Sequence, residues 1–126
     1  MANTIKFYQG DDKKIPLLIV KDGVALDIQG AISVKAELVV NNKTQKVFSK
    51  TPTGNEGVLT VPVSPVNQIN IFIERADSKL FDIGGGYINV LLAFTDAEFP
   101  DGNRTETITL CRVQIVKGQS LDVDIP

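Results

Sequence analysis

The sequence predicts an all-β fold, an antiparallel β-sandwich of about seven to nine strands. Two observations carry this. In segment after segment apolar residues recur at every second position, the spacing that puts one face of a strand in a core and the other in water. Between those segments gather Gly, Pro, Asn and Asp, whose backbone preferences suit turns. A third observation bounds the answer: 126 residues, 43% hydrophobic and 22% charged, are enough for one sizeable core and hardly for two. Residues 1–126 are therefore expected to form a single domain.

From the N-terminus, 4–9 and 14–20 read as strands on either side of Gly10-Asp11-Asp12. Pro16 has no N–H to donate, so the second strand belongs at a sheet edge or begins at that residue. Asp22-Gly23 is a turn. The clearest strand is 31–40, where Ile32, Val34, Ala36, Leu38 and Val40 alternate with Ser33, Lys35, Glu37 and Val39; the first set is expected in the core, beside alternate residues of 87–95. Asn41-Asn42-Lys43 reverses the chain, because Asn tolerates positive φ, and 44–50 returns as the hairpin partner. Residues 57–63 carry Leu59, Val61 and Val63 at period two, and 69–73 carry Ile69, Ile71 and Ile73. Only 74–82 offers a helical turn, with Asp77 or Ser78 as its cap. Gly84-Gly85-Gly86 lets the chain turn into 87–95, a nearly continuous apolar run expected to lie centrally with both faces covered. Residues 106–116 pair with it across a long loop, 96–105. Strands of this number and punctuation suit the immunoglobulin-like type of sandwich.

At the C-terminus Leu121, Val123 and Ile125 alternate with Asp122 and Asp124. A lone strand of this length is unstable. Residues 119–126 are therefore expected to be a last strand or an arm that adds to a neighbour's sheet edge, with Leu121, Asp122, Val123, Asp124 and Ile125 as the partner-binding residues.

Composition removes much chemistry. There is no His, hence no Ser-His-Asp or Cys-His catalysis and no His-containing zinc site. The single Cys111 rules out an intramolecular disulfide, a cysteine zinc site and a CxxC pair. A net charge of −2 gives no field for a polyanion, so nucleic acid is not an expected partner. No run approaches the ~18 consecutive apolar residues of a membrane span, and Met1-Ala2-Asn3-Thr4-Ile5-Lys6 lacks the apolar stretch of a secretory signal. The chain is expected to be made in the cytoplasm.

The remaining candidates have structural readings. Asp96, Glu98, Asp101, Asn103 and Glu106 crowd one loop, but counting from Asp96 the fifth and sixth positions are Pro100 and Asp101, where a calcium loop of the EF-hand kind needs an oxygen ligand and Gly. Those acids read as a solvated loop tip. The triple glycine lacks the Lys-Ser/Thr pair of a phosphate cradle and leads into a strand. Tyr87 stands near the place of a tyrosine corner, although Asp82 rather than Ile83 supplies the acid. Asn42-Lys43-Thr44 and Asn103-Arg104-Thr105 match the glycosylation pattern and mark exposed turns. Cys111 reads as a packing residue. Asp11-Asp12 and Asp122 with Asp124 are adjacent acids that nothing places about a cleft. No catalytic residue, metal site or cofactor is therefore expected, and the chain reads as non-enzymatic.

Phe7-Tyr8-Gln9-Gly10-Asp11-Asp12-Lys13-Lys14-Ile15-Pro16-Leu17, followed by Lys21-Asp22-Gly23 and Asp27-Ile28-Gln29-Gly30, resembles the N-terminal immunoglobulin-like domain of phage baseplate upper proteins and related tail-fibre and virion structural domains. Those begin with an apolar strand, Gln-Gly-Asp, a second apolar strand, Asp-Gly and a short Leu-Asp-Leu-x-Gly step. Asp77-Ser78-Lys79-Leu80-Phe81 and Gly86-Tyr87 fit the second half of such domains. The resemblance implies a bacteriophage virion structural protein of the tail, baseplate or capsid-associated assembly, acting as an adaptor. It implies other virion proteins as partners, further copies in a homo-oligomer or symmetric assembly, and localisation to the virion after assembly in the host cytoplasm. The baseplate proteins continue into a long helical or fibre-forming part, so a chain ending at Pro126 is expected to be a free-standing version.

The alternative is a carbohydrate-binding or adhesion module, for which the absence of Trp and the presence of only Tyr8 and Tyr87 leave few rings to stack on sugars. Charge is also uneven. Residues 1–51 hold 8 basic and 5 acidic groups and residues 52–126 hold 5 and 10, an asymmetry that favours head-to-tail contacts between copies if the halves form separate surfaces.

Overall fold

The computed structural model describes residues 4–52 and 54–118, with Leu110 described in its backbone only. Its elements are β1 (Thr4–Tyr8), β2 (Lys13–Leu18), β3 (Val20–Lys21), β4 (Val24–Ala25), β5 (Ser33–Val40), β6 (Lys43–Lys50), β7 (Asn55–Glu56), β8 (Val58–Thr60), β9 (Gln68–Ile73), α1 (Arg75–Ser78), β10 (Gly84–Thr95) and β11 (Asn103–Val116). They form a six-stranded sheet in the order β1-β11-β10-β5-β6-β7, a three-stranded sheet β2-β9-β8, and the hairpin β3-β4. The chain is all-β. It exceeds the expected strand number because β3, β4 and β7 have two residues each, too few to display a period of two.

One pairing departs from the expected antiparallel pattern. β1 runs parallel to β11, with Thr4 beside Arg112 and Tyr8 beside Val116, so the large sheet is mixed. Parallel neighbours need a long connection between them, and here nearly the whole described chain is that connection. After β1 the chain passes through Gln9–Asp12 into the other sheet, where β2 pairs antiparallel with β9. Pro16 duly lies on an edge strand, opposite Asn70.

The inner faces of the two sheets share one apolar cluster. Val34, Ala36, Leu38 and Val40 of β5 and Ile88, Val90 and Leu92 of β10 meet Ile15 and Leu17 of β2 and Ile69, Ile71 and Ile73 of β9. The rungs Leu38–Ile88 and Ala36–Val90 are the alternation read from the sequence. Each fully buried side chain of this size contributes about 1.5–3 kcal/mol.

The expected core extended too far at two strand ends. Ile32 is 40% exposed; it precedes β5, and only its backbone joins the sheet, donating its N–H to the Ala93 carbonyl at 2.8 Å. Val63 is 83% exposed, because β8 stops at Thr60 ahead of Pro62, which has no N–H for a ladder. β10 is central, as its apolar run predicts, but it is covered on one face only. Ile88, Val90 and Leu92 are buried while Leu91, on the other face, is exposed.

The glycines at 84–86 are not a turn. They are the first rungs of β10, opposite Ile115, Gln114 and Val113, and Tyr87 lies inside the strand rather than opening it. Gly86 is required by proximity: a Cβ there would stand 1.8 Å from the Val39 carbonyl oxygen.

The predicted reversals hold. Asn41 and Asn42 have φ of 53° and 61°, and Asp22 and Gly23 have 53° and 78°, the left-handed pairs of two-residue hairpins. Past the first of these hairpins the register of β5 against β6 shifts so that Gln45 has no rung partner. Its side chain instead grips Asp82, accepting from the backbone N–H at 2.9 Å and donating to Oδ2 at 3.3 Å. The helix α1 is not capped by Asp77 or Ser78. Asp12, from the link between the sheets, accepts the Arg75 N–H at 2.7 Å, and the buried Ser78 hydroxyl donates to the Asp11 carbonyl at 2.8 Å while accepting from the Gly10 N–H at 3.0 Å. No helix among the described residues is long and apolar enough to cross a membrane.

Candidate functional site

Strand direction gives the molecule two ends. β10 has 12 residues, about 40 Å of extended chain. At its start lie α1, the turn between β5 and β6, and the 9–12 link. At its finish lie the 96–102 loop and the β3-β4 hairpin, and this second end is where the charged and apolar side chains are organised most tightly.

The organisation follows from the phase of β11. Ile108 stands opposite Val90, Glu106 opposite Leu92, and Arg104 opposite Phe94. The alternation that puts Ile108 against the core therefore puts a carboxylate and a guanidinium on the same inward face at its rim. The Arg104 guanidinium lies over the Phe94 ring, 4.9 Å from its centroid, a cation–π contact worth about 0.5–1 kcal/mol or more as water is excluded.

Glu106 is the most enclosed of these charges, its side chain 10% exposed. Lys21, from β3, donates to its Oε1, and Arg104 Nη1 lies 3.5 Å from the same oxygen. Arg104 Nε in turn lies 3.4 Å from Asp96 Oδ2, close enough for ion attraction but not aligned as a hydrogen bond, since that nitrogen and Glu106 Oε2 are buried without hydrogen-bond partners. A buried carboxylate is tolerated when cations flank it, and two do so here. One ion network, Asp96–Arg104–Glu106–Lys21, thus ties the hairpin to the loop.

What this framework presents to solvent is mixed. Val24 is 67% exposed, and Val20 and Phe99 lie near 45%. Beside them Glu98 and Asp101 are exposed. The loop itself is held from within: Asp96 N–H donates to the Gly102 carbonyl at 2.8 Å and Gly102 N–H to the Phe99 carbonyl at 2.9 Å. Asp96 Oδ1 accepts from Glu98 N–H and Asp101 Oδ1 from Asn103 N–H, each at 3.0 Å. Of the acids noted in the sequence, Asp96, Asp101 and Glu106 are therefore engaged with backbone amides, Arg104 and Lys21, while Glu98 is exposed. Among the described residues no group of three or more His, Cys, Asp or Glu is placed to hold a metal ion.

The other sequence candidates fall elsewhere. Cys111 is buried on β11 beside Ile88, and burial raises its thiol above the ordinary value. Asp11 and Asp12 serve α1 rather than a cleft. Asn42 lies on the exposed turn between β5 and β6, and Asn103 begins β11. The partner-binding residues Leu121, Asp122, Val123, Asp124 and Ile125 lie outside the described residues. The sequence reading missed Lys21, Arg104 and Phe99. A signal was present for Arg104 and Glu106, which share the phase of Ile108 and so were bound to share its face; for Lys21 there was none, because its partner lies 85 residues away.

No protein-family model matches the chain, and no curated protein matches it in sequence. The fold and this end of it define an all-β chain that presents an apolar and acidic loop surface on a fixed frame.

Proposed function

We propose that the chain is a non-enzymatic assembly module of immunoglobulin-like type, built into a bacteriophage virion as an adaptor in its tail, baseplate or capsid-associated structure. Strand order is the observation that supports the fold reading. The small sheet, β2-β9-β8, matches B-E-D, and β11-β10-β5-β6-β7 matches the G-F-C-C′-C″ order of a variable-type domain. In that frame the β3-β4 hairpin occupies the B–C connection and 96–102 the F–G loop, two of the loops with which variable domains bind. The short Gln-Gly-Asp and Asp-Gly motifs support placing the module in virions.

A sugar-binding role has less to stand on. The exposed rings Tyr8 and Phe99 stand at opposite ends of the molecule and do not form a stacking platform. The C-terminal stripe, 121–125, belongs to this reading as a docking arm, and deleting residues 119–126 should weaken binding to neighbouring subunits more than it lowers the melting temperature.

The test is direct. Antibody raised against the purified chain should label intact virions at one structural location by immunogold microscopy, and the chain should be found in particles purified through a density gradient. Its absence from particles that contain every other structural protein overturns the assignment.

A further inference from the structure

We infer that the chain associates with copies of itself head to tail, the loop end of one copy seating on the helix end of the next. This rests on the reading of the chain as an assembly module and names the partner. Glu98 and Asp101 stand exposed at the loop end beside Val24 and Phe99. At the far end of β10, Lys43 at the start of β6 and Lys79 after α1 are exposed, beside Leu80, 77% exposed, and Ile83, 48% exposed. Each end thus carries apolar side chains next to exposed charge, and the charges are opposite in sign.

The charge division that bears on association lies between the two ends of the molecule rather than between the halves of the sequence. The sequence halves interleave, β1 with β11 and β5 with β10, so they do not form separate surfaces. The ends do. At the loop end the exposed acids Asp22, Asp27, Glu56, Glu98 and Asp101 outweigh the exposed Lys50, whereas at the helix end the exposed Lys13, Lys14, Lys43 and Lys79 outnumber the exposed Asp11, Asp12 and Glu74, and Lys46 is paired with Asp77 at 3.2 Å. Two different patches that fit each other make a heterologous contact, which repeats into a ring or an open filament rather than stopping at a symmetric pair. Both patches sit on fixed frames, the ion network at one end and the Asp12 and Ser78 contacts with α1 at the other, so little ordering is needed on association.

The experiment uses the full chain and two charge-reversed variants, E98K/D101K at the head and K43E/K79E at the tail, with thermal melts to show that each is folded. In sedimentation velocity the unaltered chain should grow in size with concentration, and added salt should reverse that growth. Each variant alone has like charge at both ends and should associate at least about tenfold more weakly. An equimolar mixture should recover association to within about threefold, because every contact in it again joins opposite charges. A chain that remains monomeric at all concentrations overturns the inference, as does association that the reversals leave unchanged or that mixing fails to restore. If the chain is found in virions yet stays monomeric, this inference alone falls; if it is absent from virions, the assembly reading falls.

Discussion

Leu38 tests the packing most directly. Its side chain is fully buried, with Ile88 of β10 on one side and Lys46 of β6 on the other as rung neighbours. Leu38→Ala removes three carbons, worth about 2.4 kcal/mol at ~0.8 kcal/mol each. Hydrogen-bonded ladders on both sides hold β5 in place, so the void cannot close by backbone movement, and the cavity term raises the expected loss to about 3–4 kcal/mol. Ile32→Ala removes the same number of carbons from a side chain 40% exposed. Scaling the transfer value by the buried share gives about 1.5 kcal/mol, with no cavity because the site opens to water. The roughly 2 kcal/mol between them is more than tenfold in the unfolding equilibrium. Urea melts read it as a difference in midpoint at unchanged slope, with Lys35→Ala, exposed on the other face, as a control within about 0.5 kcal/mol of the parent. Equal losses at 32 and 38 would refute the register of β5 against β10.

Three further outcomes follow from single residues. Gly86→Ala must push β10 away from the β5 backbone, since its Cβ would meet the Val39 carbonyl at 1.8 Å; a loss of more than about 3 kcal/mol is expected in the same melts, whereas Gly10→Ala, with nothing within 4 Å but a φ of 86°, should cost about 1 kcal/mol. Cys111 should react with an aromatic disulfide reagent only as fast as the chain opens. Because burial raises its thiol, its contribution to stability is complete below the ordinary thiol value and declines as pH rises toward the folded one, where the unfolded chain ionises first; a labelling rate equal to that of a free thiol contradicts this placement. Lys21→Met removes one of the two cations flanking Glu106, and hydrogen exchange of the 20–25 amides should quicken about tenfold while that of β10 stays unchanged.

The sequence was most legible where one strand face is wholly apolar. β5 and β9 declared themselves because Val34 to Val40 and Ile69 to Ile73 keep the period of two without interruption; the apolar run of β10 marked a central strand but hid that only one of its faces is covered; and the reversals at 22–23 and 41–42 declared themselves because Asp, Asn and Gly tolerate the left-handed backbone found there. The ends were less legible. Ile32 and Val63 continue the apolar period past the last rung, and periodicity alone has no information on where a ladder stops. The parallel placement of β1 was hidden because strand direction depends on which sheet the chain enters next, and hydropathy is the same either way. At the loop end only half of the network was visible in principle. Phase placed Arg104 and Glu106 together, but their meeting with Lys21 depends on the β3-β4 hairpin coming against β11, a tertiary fact.

The parallel pair of β1 and β11 has a mechanical consequence. The N-terminal end of β1 and the C-terminal end of β11 point in opposite directions along the same pair of strands, joined from Thr4–Arg112 to Tyr8–Val116 and continued by the Gln9 N–H to the Val116 carbonyl at 2.9 Å. Tension applied through the two chain ends therefore slides one strand along the other. All the hydrogen bonds between them bear the load at once, whereas strands pulled apart from one end of a hairpin would open bond by bond. Resistance to such a pull is set by the rate of forced opening rather than by equilibrium stability, so this short pair acts as a clamp in series with whatever the chain is tethered to.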